Sequence, residues 1–228
     1  MARQRSKQKR TKSRWKIRFI LLLTPVVIGL YATLAFLFLT FERPDIVHKS
    51  VNALADEWYD RTGRLSVPEE YIPIYQRAAE TYDVPWTLLA AVHRIETRFS
   101  TMSTLVSPVG AEGHMQFMPC TFVGWGHPSC EGLGEGDIPE SEKTNPAVIA
   151  RYGGFGVDAN GDGIADPFDL EDAIFSAAHY LSSTGAAEGN VKKALYHYNQ
   201  SDQYVSDVYA YFEAYEQSRE EMELARSE

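Results

Sequence analysis

The chain has 228 residues, enough for one well-buried domain and an additional segment. Its 22 Lys and Arg and 31 Asp and Glu give a net charge of −9, and nine of the cations lie in residues 1–18. The rest of the chain therefore has a net charge near −18. That acidity excludes a nucleic-acid-binding surface there, because such surfaces are basic.

An uncharged apolar segment, residues 19–41, directly follows the basic residues 1–18. As a helix its 23 residues would reach roughly 35 Å, enough to cross a bilayer. Cations before the segment and Glu42 after it predict a cytoplasmic tail at 1–18 and an extracytoplasmic chain from residue 42. A cleaved secretory signal is the alternative. The length of the segment and the lack of a small-x-small cleavage site favour a retained single-pass anchor in the cell membrane.

Beyond the anchor, the sequence predicts a membrane-proximal spacer at residues 42–67, a mainly α-helical domain at 68–216 and a charged tail at 217–228. Segment 83–99 is apolar nearly all round, which is typical of a buried helix. Residues 120–168 are rich in Gly and Pro and predict long loops. No segment shows sustained strand alternation, and helical periodicity is found over residues 69–82, 83–99, 169–185, 189–198 and 201 to about 225.

The chain has two cysteines, Cys120 and Cys130. Outside the cytoplasm, an isolated and closely spaced pair predicts a disulfide bond. No His or Cys partner stands at zinc-ligand spacing, which argues against a zinc site.

Glu96 stands near the end of the apolar helical segment. A carboxyl group there is costly unless it is paired, neutral or used. Apolar surroundings raise its pKa from an ordinary value of about 4.3 towards neutrality, which suits a general acid. The alternative is a surface glutamate paired with a neighbouring base, one of His93, Arg94 and Arg98.

The segment SPVGAEGHMQFMP, residues 107–119, combines turn residues with an amide and two thioethers. Gly110 and Gly113 allow a close approach between the backbone and a ligand. Gln116 adds a polar group with both donors and acceptors, and the methionines add soft apolar surface. This chemistry suits one face of a sugar.

Three pieces of the chain, IETRFS at 95–100, SPVGAEGHMQFMP at 107–119 and ALYHYNQS at 194–201, together resemble the lysozyme-like lytic transglycosylase family. This soluble lytic transglycosylase type is related to bacterial muramidases. The resemblance implies a lysozyme-like α-helical domain with long loops that cleaves the glycan strands of peptidoglycan. It assigns Glu96 as the single catalytic acid.

The resemblance also assigns residues to substrate binding. The hydroxyl of Tyr198 is expected near the carboxyl of Glu96. Thr97 stands where serine is usual and keeps a hydroxyl, and His114 replaces an apolar residue. The residues expected to bind the substrate are Thr97, Gly113, Met115, Gln116, Met118, Tyr198 and Asn199.

A single catalytic carboxyl implies that the substrate supplies the second reacting group. The family reaction breaks the β-1,4 bond between N-acetylmuramic acid and N-acetylglucosamine, and attack by the sugar's own C6 hydroxyl leaves a 1,6-anhydro end. No cofactor is required. Hydrolysis by water, as in a muramidase, stays open, as do a catalytically silent glycan-binding module and a structural membrane protein. An anchored enzyme would act on nearby wall, for a secretion, conjugation or wall-growth machinery.

Residues 158–169, DANGDGIADPFD, have the spacing of a calcium-binding loop with a glycine turn at its sixth position. An aspartate replaces the usual bidentate glutamate at the twelfth position, which should weaken binding. The alternative is a turn rich in Asp, Asn and Gly before a capped helix, and the sequence leaves both open. The expected ligands are Asp158, Asn160, Asp162, the Ile164 carbonyl, Asp166 and Asp169.

Overall fold

The computed structural model describes Phe38 and residues 67–227. The predictions for the cytoplasmic tail, for the anchor at 19–41 and for the spacer therefore lie outside the described residues, except at Phe38 and Val67. Among the described residues, no helix is both long and apolar enough to cross a membrane. Residues 67–228 form one compact unit.

The described part of this unit is mainly helical, as predicted. Its only pairing of β type is two isolated bridges, Val106 with Glu112 and Glu112 with Phe117. A 3₁₀ helix, Ala186–Glu188, lies between the α-helices Leu170–Ser183 and Val191–Tyr198. The α-helices are α1 (Ile72–Tyr82), α2 (Trp86–Thr97), α3 (Pro119–Val123), α4 (Glu140–Lys143), α5 (Pro146–Tyr152), α6 (Leu170–Ser183), α7 (Val191–Tyr198) and α8 (Asp202–Ser227).

Helix α8 runs through the charged segment at residues 217–228. It continues to Ser227, in line with the helical periodicity predicted from residue 201 to about 225. The Glu, Gln, Met, Leu, Ala and Arg residues of this stretch are good helix formers, so their charge does not end the helix. The tail is therefore an extension of the last helix.

Helix α2 is the centre of the core. Its residues 88–92, LLAAV, are completely buried, and α2 packs against α1, α6 and α8. Burial on all sides explains why this segment is apolar nearly all round. The helix ends in a left-handed turn in which Arg98, Phe99 and Ser100 all have φ between 52° and 64°. Such backbone costs roughly 1–2 kcal/mol for each residue with a side chain.

A second, smaller cluster lies around the disulfide bond. Cys120 and Cys130 are bonded, as predicted, with their Cα atoms 5.6 Å apart. Cys120 is fully buried and packs with Val123 and Ile138. The bond closes the loop between α3 and residue 130, so this part of the long Gly- and Pro-rich region is held in place.

Candidate active site

The carboxyl of Glu96 lies where the last turn of α2 meets the first turn of α8. The hydroxyl of Tyr204 donates a hydrogen bond of 2.6 Å to Glu96 Oε1. Tyr204 itself is 8% exposed, so the bond is shielded from bulk water. Helix α8 therefore supplies the direct partner of the predicted catalytic acid.

Burial raises the pKa of Glu96 from 4.5 to about 7, and the hydrogen bond from Tyr204 acts in the opposite direction. An apolar environment disfavours the charged carboxylate more than the single hydroxyl stabilises it. No carboxylate of residues 67–227 is among the causes of this shift. Glu96 is therefore an isolated acid that keeps its proton to near-neutral pH, as the sequence predicted.

Tyr198 lies beside this pair, but its hydrogen bond goes elsewhere. Its ring stacks parallel to that of Tyr204 at 6.3 Å between centroids. Its hydroxyl donates to the backbone carbonyl of Met115 at 2.8 Å, and the neighbouring charge of Glu96 helps to raise its pKa. Tyr198 therefore sits near Glu96 as expected, whereas the residue that touches the carboxyl is Tyr204.

Sequence reasoning missed Tyr204 because only helical periodicity was predicted for the segment from residue 201 to about 225. The available signal was its position, in the first turn of the helix that directly follows the Tyr-Asn pair.

Gln116 holds the motif segment in its turn. Its backbone is left-handed, with φ 49°, and its side-chain amide donates to the carbonyls of Leu105 at 2.9 Å and Gly113 at 2.8 Å. The oxygen of the amide accepts no hydrogen bond from the described residues, and the side chain is partly exposed. Met118 is also partly exposed and Asn199 is exposed, so all three can still contact a ligand.

Three other residues expected to bind substrate are instead buried, and these expectations are corrected. Met115 is 0% exposed in the core. Thr97 is also fully buried, where its hydroxyl donates to the His114 carbonyl at 2.8 Å. At Gly113 a Cβ atom would lie 1.9 Å from the Pro167 carbonyl oxygen. Gly113 therefore leaves room for the backbone of Pro167. All three residues lie beneath the candidate site and pack against the protein interior.

A chain of hydrogen bonds ties the end of α2 to the motif segment. It joins Tyr75 Oη to His93 Nδ1 (2.6 Å), His93 Nε2 to Ser100 Oγ (2.7 Å), Ser100 Oγ to His114 Nδ1 (2.6 Å) and His114 Nε2 to the Phe168 carbonyl (2.8 Å). The carbonyl can only accept, so His114 Nε2 donates. With both histidines neutral, Tyr75 then donates to His93, His93 to Ser100, and Ser100 to His114.

Burial, with a further contribution from His114, lowers the pKa of His93 to about 3, consistent with a neutral ring. These bonds satisfy the polar groups around the left-handed turn that follows Glu96.

Glu112, the other acid of the motif segment, is neutralised by a neighbour. Lys143 Nζ lies 2.7 Å from its Oε1. The pair lines a small surface pocket, and Glu96 is not among its lining residues. The lining residues are Glu112, Phe117, Pro119, Phe122, Val123, Lys143 and Pro167.

The predicted calcium loop satisfies its carboxylates with its own backbone. Asp158 accepts from the amides of residues 161, 162 and 163. Asp169 caps α6 by accepting from the amides of residues 171 and 172. Asp172, which is fully buried, holds both ends of the loop through the amides of residues 159, 160 and 166.

Within the described part of the chain, no three His, Cys, Asp or Glu side chains gather closely enough to hold a metal ion. Calcium binding stays a prediction.

This geometry defines a class: a helical domain whose central helix ends in one isolated, protonatable carboxyl beside two tyrosines and a fixed glutamine turn. Residues 73–220 match the family described as the transglycosylase SLT domain. The chain belongs to this family, the lysozyme-like lytic transglycosylases.

A more distant likeness is to the L-Ala--D-Glu endopeptidase of Bacillus subtilis (strain 168), with 28% identity over 158 residues. The match covers 67% of this chain and 45% of that protein, so the chain spans less than half the length of this relative.

Replacing Glu96 with Gln should stabilise the protein at high pH. The folded carboxyl keeps its proton to about pH 7, whereas the unfolded one loses it near 4.5. Wild-type stability therefore falls as the pH rises between these values. We expect Glu96→Gln to be more stable than wild type by about 2–3 kcal/mol at pH 8, roughly 5–10 °C in Tm, and nearly equal at pH 4.5. Thermal unfolding at both pH values measures this difference.

The matched control is Glu188→Gln at an exposed position, which should behave alike at both pH values. A stability difference for Glu96→Gln that is the same at pH 4.5 and pH 8 would contradict the burial of the carboxyl.

Removing the Tyr204 hydroxyl should raise the pKa of Glu96 further, because this hydrogen bond favours the charged carboxylate. Carbon NMR titration of the Glu96 carboxyl in Tyr204→Phe is the direct measurement. Tyr180→Phe serves as the control, since the Tyr180 hydroxyl donates to the His197 carbonyl. An unchanged or lower pKa in Tyr204→Phe would show that the hydroxyl does not act on the acid.

Proposed function

We propose that the chain is a membrane-anchored lytic transglycosylase that breaks the β-1,4 bond between N-acetylmuramic acid and N-acetylglucosamine in peptidoglycan. The observation that carries the proposal is the isolated carboxyl of Glu96. Its pKa is raised to about 7, it is held by Tyr204, and it lies inside the transglycosylase match. A group with this pKa can give up a proton and take it back at neutral pH.

In the first step, protonated Glu96 gives its proton to the glycosidic oxygen while the bond from that oxygen to C1 breaks. The leaving sugar departs with a 4-hydroxyl group, and positive charge develops at C1. In the second step, the Glu96 carboxylate takes the proton of the C6 hydroxyl as the C6 oxygen bonds to C1. The products are a 1,6-anhydro end and a free sugar end, no water is consumed, and Glu96 regains its proton.

The lack of a suitable second acid favours this internal route. Two-carboxylate glycosidases hold their acids about 5–5.5 Å apart or about 6.5–9.5 Å apart, close enough to affect each other's pKa. The pKa of Glu96 shows no such influence from a described carboxylate. Glu112, the nearest candidate by motif, is paired with Lys143. The N-acetyl group of the substrate is then the group left to stabilise the cationic centre.

Protonation of Glu96 also sets the pH range of the reaction. The acid must be protonated to start the first step, so the rate should fall as the pH rises through about 7. The buried Tyr204 is expected to hold the carboxyl in one orientation in both of its charge states.

We further propose that residues 19–41 anchor the enzyme in the cell membrane, with residues 1–18 in the cytoplasm and the catalytic domain outside. The support is the charge asymmetry around the apolar segment. An anchored enzyme would cut only nearby wall, which suits a secretion, conjugation or wall-growth machinery. The full chain should remain in membranes after alkaline extraction, whereas a chain that begins at residue 42 should not. Extraction of both chains alike would contradict the anchor.

The products of peptidoglycan digestion test the proposed reaction. Wild-type enzyme should release fragments that are lighter than hydrolysis products by the mass of one water, as measured by mass spectrometry. Glu96→Gln should reduce the rate by at least about 10³-fold, because it removes the proton donor and base. The control is again Glu188→Gln, at an exposed position. Gln116→Glu cannot serve as a control, because it would alter the turn of the motif segment.

Other products would identify other activities. Reducing sugar ends that depend on Glu96 would identify a muramidase. Free stem peptides would identify a peptidase activity like that named for the Bacillus subtilis relative. Undiminished release by Glu96→Gln would overturn the proposal, and binding without cleavage by the wild type would identify a glycan-binding module.

A further inference from the structure

Trp125 presents a large apolar ring to solvent on the loop closed by the disulfide bond. It is 53% exposed and lies between Cys120 and Cys130, which are bonded. It is the largest exposed apolar side chain among the residues that the structure describes. Exposing an indole costs hydrophobic free energy, so a position that does so calls for a binding partner.

The backbone on both sides of Trp125 is fixed. Trp125 lies inside a turn closed by a hydrogen bond of 3.0 Å from the His127 amide to the Gly124 carbonyl. The His127 ring packs edge-on against Tyr152, with centroids 4.9 Å apart, and its Nε2 lies 3.1 Å from a carboxylate oxygen of Glu142. Together with the disulfide, these contacts fix the backbone that carries the indole before any ligand arrives, which lowers the entropic cost of binding.

Trp125 lies next to the proposed substrate site. A Cβ atom at Gly134 would be 3.1 Å from the indole and 3.5 Å from the Cβ of Met118. The ring and Met118 therefore flank the same glycine. One residue further on, the side chain of Glu135 lies against Gly110, where a Cβ would meet it at 2.6 Å. Residues 131–136 thus join the indole to the motif segment that contains Gln116.

We propose that Trp125 forms an additional glycan-binding subsite, which stacks on the C–H face of an N-acetylated sugar in the strand beyond the pair of sugars that is cleaved. The inference rests on the proposed function, since the subsite extends the Gln116 and Met118 surface. The indole N–H has no hydrogen-bond partner among the described residues and can donate to a sugar hydroxyl or acetamide oxygen.

The charge around the ring selects this ligand over an anionic polymer. Glu131, Glu135 and Asp137 are exposed on the adjoining loop. These carboxylates repel phosphate-rich polymers and nucleic acids, whereas N-acetylglucosamine, one of the two sugars of the strand, is uncharged. An exposed aromatic ring with a polar edge suits such a sugar, which has an apolar face and a polar rim.

The test measures cleavage of peptide-free glycan strands of defined length by the full chain. For long strands, Trp125→Ala should raise KM about tenfold and leave kcat unchanged, the loss expected for one buried aromatic anchor. For strands that fill only the cleaved pair of sugars, both constants should stay at wild-type values. Trp125→Phe should be intermediate, and Glu188→Gln, at an exposed position with no assigned role, should match wild type.

A second measurement does not depend on cleavage. Calorimetry of a soluble N-acetylglucosamine hexamer binding to Glu96→Gln should show about tenfold tighter binding than to the Glu96→Gln, Trp125→Ala double variant. A trimer should bind both proteins alike. If wild type cleaves nothing, the proposed function fails and this arm alone decides on the subsite.

Three results would overturn the subsite. Trp125→Ala could match wild type on long strands and in hexamer binding, which would leave the ring to another occupant such as a protein partner. It could lose activity equally on short and long strands together with a lower Tm, which would make the ring structural. Hexamer and trimer binding could also fall equally, which would place the ring at the cleaved pair.

Discussion

The proposed chemistry depends on one carboxyl group that the end of the central helix withdraws from water. Helix α2 packs against α1, α6 and α8, and Glu96 lies in its last turn, where Tyr204 of α8 meets its carboxyl. The environment that makes α2 a stable core helix also keeps the acid protonated to about pH 7. Function and stability therefore compete at this residue, because the charged form that the reaction must generate is the form that burial disfavours.

The backbone that follows Glu96 also has an unfavourable conformational free energy. Three consecutive non-glycine residues, 98–100, adopt left-handed conformations. The hydrogen-bond chain through His93, Ser100 and His114 fixes this turn, and each of its polar groups has a partner. Fully satisfied buried networks specify one arrangement of the groups they join. The network thereby positions the helix that carries the acid relative to the segment that carries Gln116.

The aspartate-rich loop takes part in the same arrangement with or without a metal ion. Its far end provides the Pro167 carbonyl that packs over Gly113 and the Phe168 carbonyl that accepts from His114. Asp172 in α6 holds this loop by three backbone amides. The loop therefore packs along one side of the motif segment, and a structural change in the loop would reach the candidate site through these backbone contacts. A calcium ion, if bound in the loop, would make the same side more rigid.

Much of the fold and the identity of the acid could be predicted because these features rest on local patterns. The apolar content of residues 83–99 predicted the buried helix, and the spacing of Cys120 and Cys130 predicted their bond. The apolar context of Glu96 predicted its raised pKa. The three motif pieces, read together, indicated the family before any contact was known.

Only the tertiary structure decided which side chains face the site. It brought Tyr204 to Glu96 across 108 positions of sequence, and it turned Met115 and Thr97 into the core. A motif states which residue types occur, but the direction of each side chain depends on how distant helices pack. The sequence determined the chemistry that is present, and the packing of α8 on α2 determined where that chemistry can act.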